Sequence, residues 1–161
     1  MIELLRVDDR LIHGQVAVTW TSHLGADTIV VANDKSAKDT LMQSAFKLAK
    51  PPQVVLSIKS VAGAILVINN PKHAPRKIFV VCASPKDAAR IVAECPDVKH
   101  VCLGGVRQAG ERKQIAPQVY LDQEEVAALD DIEAHGCKVT LQSVPDQSPM
   151  DLAAIKRAFA N

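Results

Sequence analysis

The sequence predicts an α/β fold in which helices cover both faces of a doubly wound, mainly parallel sheet of about six to seven strands. Three observations support this prediction. Short runs of β-branched residues alternate with longer segments of helical periodicity. The runs are apolar at nearly every position, as in strands buried on both faces. A chain of 161 residues has the usual length of one domain, so we assign residues 1–161 to a single three-layer α/β/α domain.

The first half of the chain contains three predicted strand–helix pairs. In chain order they are strand Ile2–Val7, helix Gly14–Leu24, strand Thr28–Ala32, helix Asp39–Leu48, strand Val54–Ile58 and helix Val61–Ile68. In the first helix, Val16, Trp20 and Leu24 recur every four residues and therefore lie on one side of the helix. We expect Val16 and Trp20 to anchor this helix to the sheet.

The second and third of these helices have recognisable ends. Leu41, Ala45 and Leu48 share one face of the second helix, and a Pro-Pro pair beginning at Pro51 stops it because proline lacks an amide hydrogen. The third helix is closed by the turn sequence Asn-Asn-Pro, which begins at Asn69.

The second half of the chain continues the alternation. Its predicted elements are strand Lys77–Ala83, a helix from Pro85 to about Glu94, strand Val98–Leu103, a short strand Gln118–Leu121, helix Gln123–Ala134, strand Lys138–Val144 and helix Asp151–Phe159. Pro85 suits the first turn of a helix, and Gly136 suits the position just past a helix end. The sequence contains no repeat, linker or low-complexity segment.

Composition excludes several classes of protein. The formal net charge is +1 and aromatic residues are 3% of the chain, which argues against a nucleic-acid binder. No apolar run approaches the length of a membrane-spanning helix, and acids near the N-terminus do not fit a signal peptide, so we expect a cytoplasmic protein. The four cysteines form no C-x-x-C pair and are predicted to be buried free thiols rather than metal or redox ligands.

The carboxyl ends of the strands are the place to look for a site. In doubly wound sheets, ligands bind beyond these ends where the strand order reverses. The first strand is followed by the loop D-D-R-L-I-H-G, which ends at Gly14. Further strand ends carry polar or glycine residues: Asn33, Asp34, Ser84, Gly104 and Gly105. The loop lacks the glycine pattern of dinucleotide-binding folds, and the chain lacks the P-loop pattern.

The first loop instead has the groups that phosphoryl transfer needs. His13 directly precedes a helix N-terminus, where unpaired N–H groups near Gly14 and Gln15 attract a phosphate. A neutral imidazole is a nucleophile, and Arg10 has the geometry to bind phosphoryl oxygens. Asp8 or its neighbour Asp9 would orient the ring by accepting a hydrogen bond. The same residues also fit a plain solvated loop with a capping acid, so the residues alone leave both interpretations open.

The stretch RVDDRLIHGQVAVTW resembles the signature of the mannose/fructose/sorbose-type IIB components of the bacterial sugar phosphotransferase system. The likeness continues along the chain in VANDKSAKD, NNPKH, SPKDAARIV and LGG…KQIAPQVYLD. This resemblance implies a doubly wound domain that accepts phosphate on Nδ1 of His13 from a histidine of a IIA component. The domain then passes the phosphate to a sugar imported through the membrane components IIC and IID.

The resemblance also implies residue roles. Arg10 would clamp the phosphate, Asp8 would orient or polarise the imidazole, and Gly14 and Gln15 would offer backbone N–H groups. The chain would act as a protein-phosphohistidine–sugar phosphotransferase in the cytoplasm, peripherally associated with its membrane transporter. No cofactor, metal or nucleic acid is implied. The sugar itself is not identified by the sequence.

One departure from the family pattern concerns a second cation. Some relatives carry an arginine on the helix after the Asn-Asp pair, whereas this chain has Leu-Met-Gln from Leu41. Arg107 is a candidate to supply that charge, or it is an exposed loop residue. Ser84, Gly104 and Gly105 are further candidates for phosphate binding.

The sequence does not decide the roles of three first-loop residues. Asp9 caps the helix, orients the histidine or faces water, and Leu11 and Ile12 either contact a partner or pack beneath the loop. Two competing functions are a non-catalytic regulatory module and a coenzyme-binding enzyme, because this fold class supports both.

Overall fold

The computed structural model describes all residues, Met1–Asn161. It contains nine strands: β1 (Ile2–Asp8), β2 (Thr28–Ala32), β3 (Val55–Lys59), β4 (Ile78–Cys82), β5 (His100–Gly105), β6 (Lys113–Ala116), β7 (Val119–Leu121), β8 (Lys138–Leu141) and β9 (Met150–Asp151). Seven of them form one sheet in the order β3-β2-β4-β1-β5-β8-β9, in which only the β8–β9 pair is antiparallel.

Helices cover both faces of this sheet. They are α1 (Gly14–Leu24), α2 (Asp34–Ala37), α3 (Thr40–Ala49), α4 (Val61–Asn69), α5 (Pro85–Glu94), α6 (Gln123–Ala134) and α7 (Leu152–Ala160), with a 3₁₀ turn at Pro71–His73. Residues of α1 and α3 pack in the smaller core on one face, and residues of α4, α5, α6 and α7 pack in the larger core on the other. The predicted three-layer α/β fold is therefore confirmed. None of the helices is long and apolar enough to cross a membrane.

The topology determines where a site can form. β1 lies between β4 and β5 in the sheet. The chain that leaves β1 continues to β2, on the β4 side of β1. The chain that leaves β5 continues through a hairpin and α6 to β8, on the opposite side. The strand order thus reverses between β1 and β5. A crevice at the carboxyl ends of these two strands is the expected binding place in such a sheet.

Most predicted elements agree with the structure to within two residues at each end, and four differences stand out. The predicted strand Gln118–Leu121 is β7, which leaves the main sheet and pairs with the unpredicted β6 in a small hairpin. The predicted strand Lys138–Val144 ends at Leu141, because the amide of Ser143 bonds a side chain, that of Gln147, instead of the sheet. The short elements α2 and β9 were also not predicted.

The apolar stripe of α3 faces solvent. Leu41 and Leu48 do share one face, but they are 80% and 89% exposed. The buried face has Phe46, with Met42 and Ala49 packed against the smaller core. Both stripes have helical spacing, and the one with the larger aromatic side chain packs inward because it buries more apolar area. All four cysteines are free and buried, as predicted.

Candidate functional site

The site is built around the carboxylate of Asp8, the last residue of β1, which is 0% exposed. Its Oδ1 accepts hydrogen bonds from the backbone N–H and the Nε of Arg10 at 3.1 and 3.2 Å. Its Oδ2 lies 3.3 Å from Nη2 of Arg10, 3.1 Å from Nε2 of His13 and 3.6 Å from Nη2 of Arg6. One buried carboxylate thus fixes two guanidinium groups and one imidazole.

The loop after β1 turns sharply to bring His13 back to Asp8. The amide of Leu11 donates to the carbonyl of Asp8 at 2.9 Å, and Leu11 has a φ of 61°, in the left-handed region. Leu11 and Ile12 are buried in the smaller core, so they pack beneath the loop and do not form a partner contact. Their burial fixes the loop from below, and the polar side chains are left on its outer surface.

His13 occupies the N-cap position of α1 but does not cap the helix with its side chain. Its Nε2 faces Asp8, which leaves Nδ1 as the ring nitrogen without a protein partner. The N–H groups of Gly14, Gln15 and Val16 donate to no acceptor within the protein. A helix N-terminus with free N–H groups carries positive partial charge and suits an anion. The imidazole is 23% exposed, so it is reachable from solvent.

Arg6 is a site residue that sequence reasoning missed. Its guanidinium is buried 5.0 Å from the Trp20 ring centre and donates to the carbonyls of Gln142 and Ser143, each at 3.0 Å. Burial lowers the pKa of Arg6 from its ordinary value, and the thiol of Cys102 and the carboxylate of Asp8 oppose that shift. The signal was available in the sequence: an arginine two positions before Asp8 on a strand points to the same face.

The glycine pair at the end of β5 makes room for these side chains. A Cβ added at Gly104 would overlap the Arg6 guanidinium. A Cβ at Gly105 would lie 3.0 Å from Nη2 of Arg10 and 3.1 Å from Oδ1 of Asp8. The close approach expected at these glycines is therefore made by protein side chains. Ser84, at the end of β4, caps α5 by accepting a hydrogen bond from the Asp87 amide at 3.2 Å.

Asp9 holds the loop after β5. Its Oδ2 accepts from the backbone N–H and the Nε of Arg107 at 2.9 and 3.1 Å, and its own amide donates to the carbonyl of Gly105. Asp9 therefore neither caps α1 nor contacts His13. Its Oδ1 is buried without a donor. Arg107 is 75% exposed and is therefore an exposed loop residue, but its backbone is fixed.

A second ion pair, also missed from sequence, supports this loop from behind. Nε and Nη2 of Arg112 bond both carboxylate oxygens of the buried Glu125 at 2.9 and 3.0 Å. Nη1 of Arg112 donates to the carbonyl of Arg107 at 2.8 Å. The bond to Glu125 raises the pKa of Arg112. The two partners are thirteen residues apart on a loop and a helix, a spacing with no sequence signature.

A surface groove of about 340 Å³ lies between the first loop and the β6–β7 hairpin. We call it the Arg10–Arg107 groove; its polar lining residues are Asp9, Arg10, Arg107, Gln108, Gln118 and Tyr120. Arg10, itself 37% exposed, joins the groove to Asp8, and its Nη2 also lies 3.4 Å from Oε1 of Gln118. The groove therefore opens beside the cluster that holds the imidazole.

Comparisons with known proteins agree over the whole chain. The family model described as "PTS system sorbose subfamily IIB component" matches residues 2–160. A probable phosphotransferase enzyme IIB component of Streptococcus pyogenes serotype M6 is 40% identical over 137 residues, 82% of this chain and 84% of that protein. The mannose-specific EIIAB component of Escherichia coli strain K12 is 33% identical over 155 residues, 94% of this chain and 48% of that protein.

The comparison with solved structures gives the same family as the sequence comparisons. The crystal structure of the IIB domain of the Klebsiella pneumoniae sorbose permease superposes with a TM-score of 0.92 at 28% identity. The match covers 98% of this chain and 97% of that one. Both the family match and the superposition run through the N-terminal strand and helix, so they include the loop that carries Asp8, Arg10 and His13.

Proposed function

This chain belongs to the sorbose subfamily of IIB components of the phosphotransferase system, and we propose that it carries a phosphoryl group on Nδ1 of His13. Membership gives it a role in sugar phosphotransfer. The proposal adds the atom that is phosphorylated, the donor of the phosphoryl group and its acceptor. The observation that carries it is the contact of His13 Nε2 with the buried Asp8 carboxylate at 3.1 Å, which leaves Nδ1 as the free nucleophile.

In the first step, the Nδ1 lone pair attacks the phosphorus of a phosphohistidine on a IIA component. A new N–P bond forms at His13 while the N–P bond to the donor imidazole breaks, and the donor nitrogen keeps the bonding electron pair. The Nε2–H remains hydrogen-bonded to Asp8 throughout, so the tautomer and the ring orientation are fixed before the partners meet. The carboxylate also stabilises positive charge on the phosphorylated ring.

The phosphoryl oxygens are held by a moderate set of groups. The N–H groups of Gly14 and Gln15, directly after His13, donate to no protein acceptor, and the guanidinium of Arg10 contacts the same Asp8 oxygen as the imidazole. Arg10 still has Nη1 available after its bonds to Asp8 and Gln118. No further clamp is needed, because an intermediate that must be emptied again is poorly served by very tight binding.

In the second step, a hydroxyl oxygen of the sugar attacks the phosphorus. The O–P bond forms, the N–P bond breaks, the electron pair returns to Nδ1 and the hydroxyl proton passes to solvent. We propose that the sugar is presented by the membrane components IIC and IID and that the domain works in the cytoplasm beside them. The similarity to an EIIAB component supports a IIA protein as the phosphate donor.

The test uses the purified chain, the general phosphotransfer proteins, a IIA component and ³²P-labelled phosphoenolpyruvate. We expect one labelled phosphoryl group that is stable to base and labile to acid, as phosphohistidine is. His13→Ala should abolish labelling. His135→Ala, an exposed histidine at the end of α6, should label as the unmodified chain does. Equal labelling of His13→Ala would refute the proposal.

A further inference from the structure

We propose that the Arg10–Arg107 groove is a binding site for a phosphorylated polyol, the chemical class of the product of the second step. The inference rests on the proposed function for its place in the reaction, but the binding itself does not require phosphorylation of His13. The domain would then bind the sugar acceptor or its phosphorylated product as well as carry phosphate.

The first argument is that several hydrogen-bonding groups in the groove have no protein partner. Arg107 uses only Nε among its side-chain nitrogens, so Nη1 and Nη2 are free. Nη1 of Arg10 is also free. The amide nitrogen of Gln118 and the hydroxyl of Tyr120 have no protein partner, since Gln118 uses only its oxygen. Two guanidinium groups suit a phosphate, and an amide and a phenol suit sugar hydroxyls.

The second argument is position. Nη2 of Arg10 and Nε2 of His13 both contact the same oxygen of Asp8, so the two nitrogens are at most two hydrogen-bond lengths apart. The groove begins at Arg10. The groove therefore begins within two hydrogen-bond lengths of the imidazole that we propose carries the phosphoryl group.

The third argument is size and charge. A volume of about 340 Å³ lies at the lower end of the range for small-molecule sites, which suits one sugar ring with its phosphate. The lining has two arginines and one acid, Asp9, whose Oδ2 is already paired with Arg107. The groove therefore favours an anion over a neutral sugar.

The test is an NMR titration of the unphosphorylated chain with hexose 6-phosphates, the matching free hexoses and inorganic phosphate. We expect saturable shifts at the amides of Gly105, Arg107 and Tyr120 with at least one hexose 6-phosphate, at lower concentrations than with phosphate or free hexose. Arg107→Gln should weaken this binding by about tenfold or more, because it removes charge-assisted bonds. Arg157→Gln, an exposed arginine of α7 without an ion pair, is the matched control.

Two further variants separate this inference from the proposed function. His13→Ala should bind the ester as the unmodified chain does, so a carrier that fails the labelling assay can still pass this one. Tyr120→Phe, which keeps the ring, should weaken ester binding more than phosphate binding. The inference is overturned if phosphate or free hexose binds as tightly as every ester. It is also overturned if folded Arg107→Gln binds normally, or if the shifts map elsewhere.

Discussion

Asp8 and Asp9 are adjacent in sequence, and each is paired with arginine, yet their surroundings differ. Asp8 is fully buried, and both of its oxygens are bonded by groups from its own loop and strand. Asp9 is 18% exposed, pairs through one oxygen with an arginine 98 residues away and leaves the other without a donor. β1 ends at Asp8, so Asp9 already lies in the following turn and its side chain meets different neighbours. Consequently one acid organises the imidazole and the other attaches a distant loop.

Replacing Asp8 should have the largest effect on the free energy of unfolding. Asp8→Asn removes the one negative charge beside the buried Arg6 guanidinium and the bidentate partner of Arg10. Because breaking a buried pair leaves an uncompensated charge, we expect the free energy of unfolding to fall by about 3–5 kcal/mol. Urea denaturation followed by circular dichroism measures it.

The matched control for Asp8→Asn is Asp9→Asn, which should change the free energy of unfolding far less because its ion-pair partner, Arg107, is largely exposed. Equal losses in the two variants would contradict the distinction between a buried organising acid and a peripheral one.

Gly104→Ala tests the same buried cluster from the opposite side and should have the next largest effect. The added methyl group occupies the space of the Arg6 guanidinium, so the arginine must move away from Asp8 and from the carbonyls of Gln142 and Ser143. We expect a loss of about 1–3 kcal/mol in the free energy of unfolding, the usual cost of overpacking.

Gly105→Ala is the control for Gly104→Ala. Its Cβ would meet only the flexible end of Arg10 and the edge of the Asp8 carboxylate, at 3.0 and 3.1 Å. The loss in the free energy of unfolding should therefore be smaller. If Gly105→Ala destabilises the fold more than Gly104→Ala, the space between Gly104 and Arg6 is not filled more tightly than the space beside Gly105.

The parts of this site that the sequence predicts are the local ones. Asp8, Arg10 and His13 lie within six residues, and a strand followed directly by a helix leaves few ways to arrange them. Their mutual contacts follow from that short loop. The element pattern was predictable for the same reason, since hydrophobic periodicity is a local property.

The remaining contacts depend on tertiary structure. The burial of Arg6 requires carbonyls more than 130 residues away, and the Asp9–Arg107 pair joins positions 98 residues apart. Strand β6 is short and carries no strong strand pattern, so the pairing of β7 with it in a hairpin was not predictable. In α3, two apolar stripes have the same spacing, and only packing against the sheet chooses between them.

Asp9→Ala tests the role of the half-buried acid. The variant removes both hydrogen bonds to Arg107 but leaves the Arg112–Glu125 pair that supports the same loop. We expect a loss of about 1 kcal/mol or less in the free energy of unfolding, with faster hydrogen exchange at the Arg107 amide. Glu125 amide exchange, measured in the same sample, should stay unchanged. Unaltered exchange at Arg107 would mean that Asp9 does not hold the loop.

The smallest expected effect is on the pH dependence of stability and arises from His100 instead of Asp8 or Asp9. Burial lowers the pKa of His100, whose Nε2 lies 2.7 Å from Oγ1 of Thr140, and Lys138 adds to the shift. The unfolded chain therefore binds a proton at a higher pH than the folded chain does. Stability from His100 is present above its ordinary pKa of 6.5 and is lost as pH falls from there to the lowered value.

Thus His100→Gln should reduce the loss of unfolding free energy between neutral and mildly acidic pH, measured by urea denaturation at several pH values. His135→Gln, at an exposed histidine, is its control. An unchanged dependence on pH in His100→Gln would show that the burial of His100 does not contribute to the acid response.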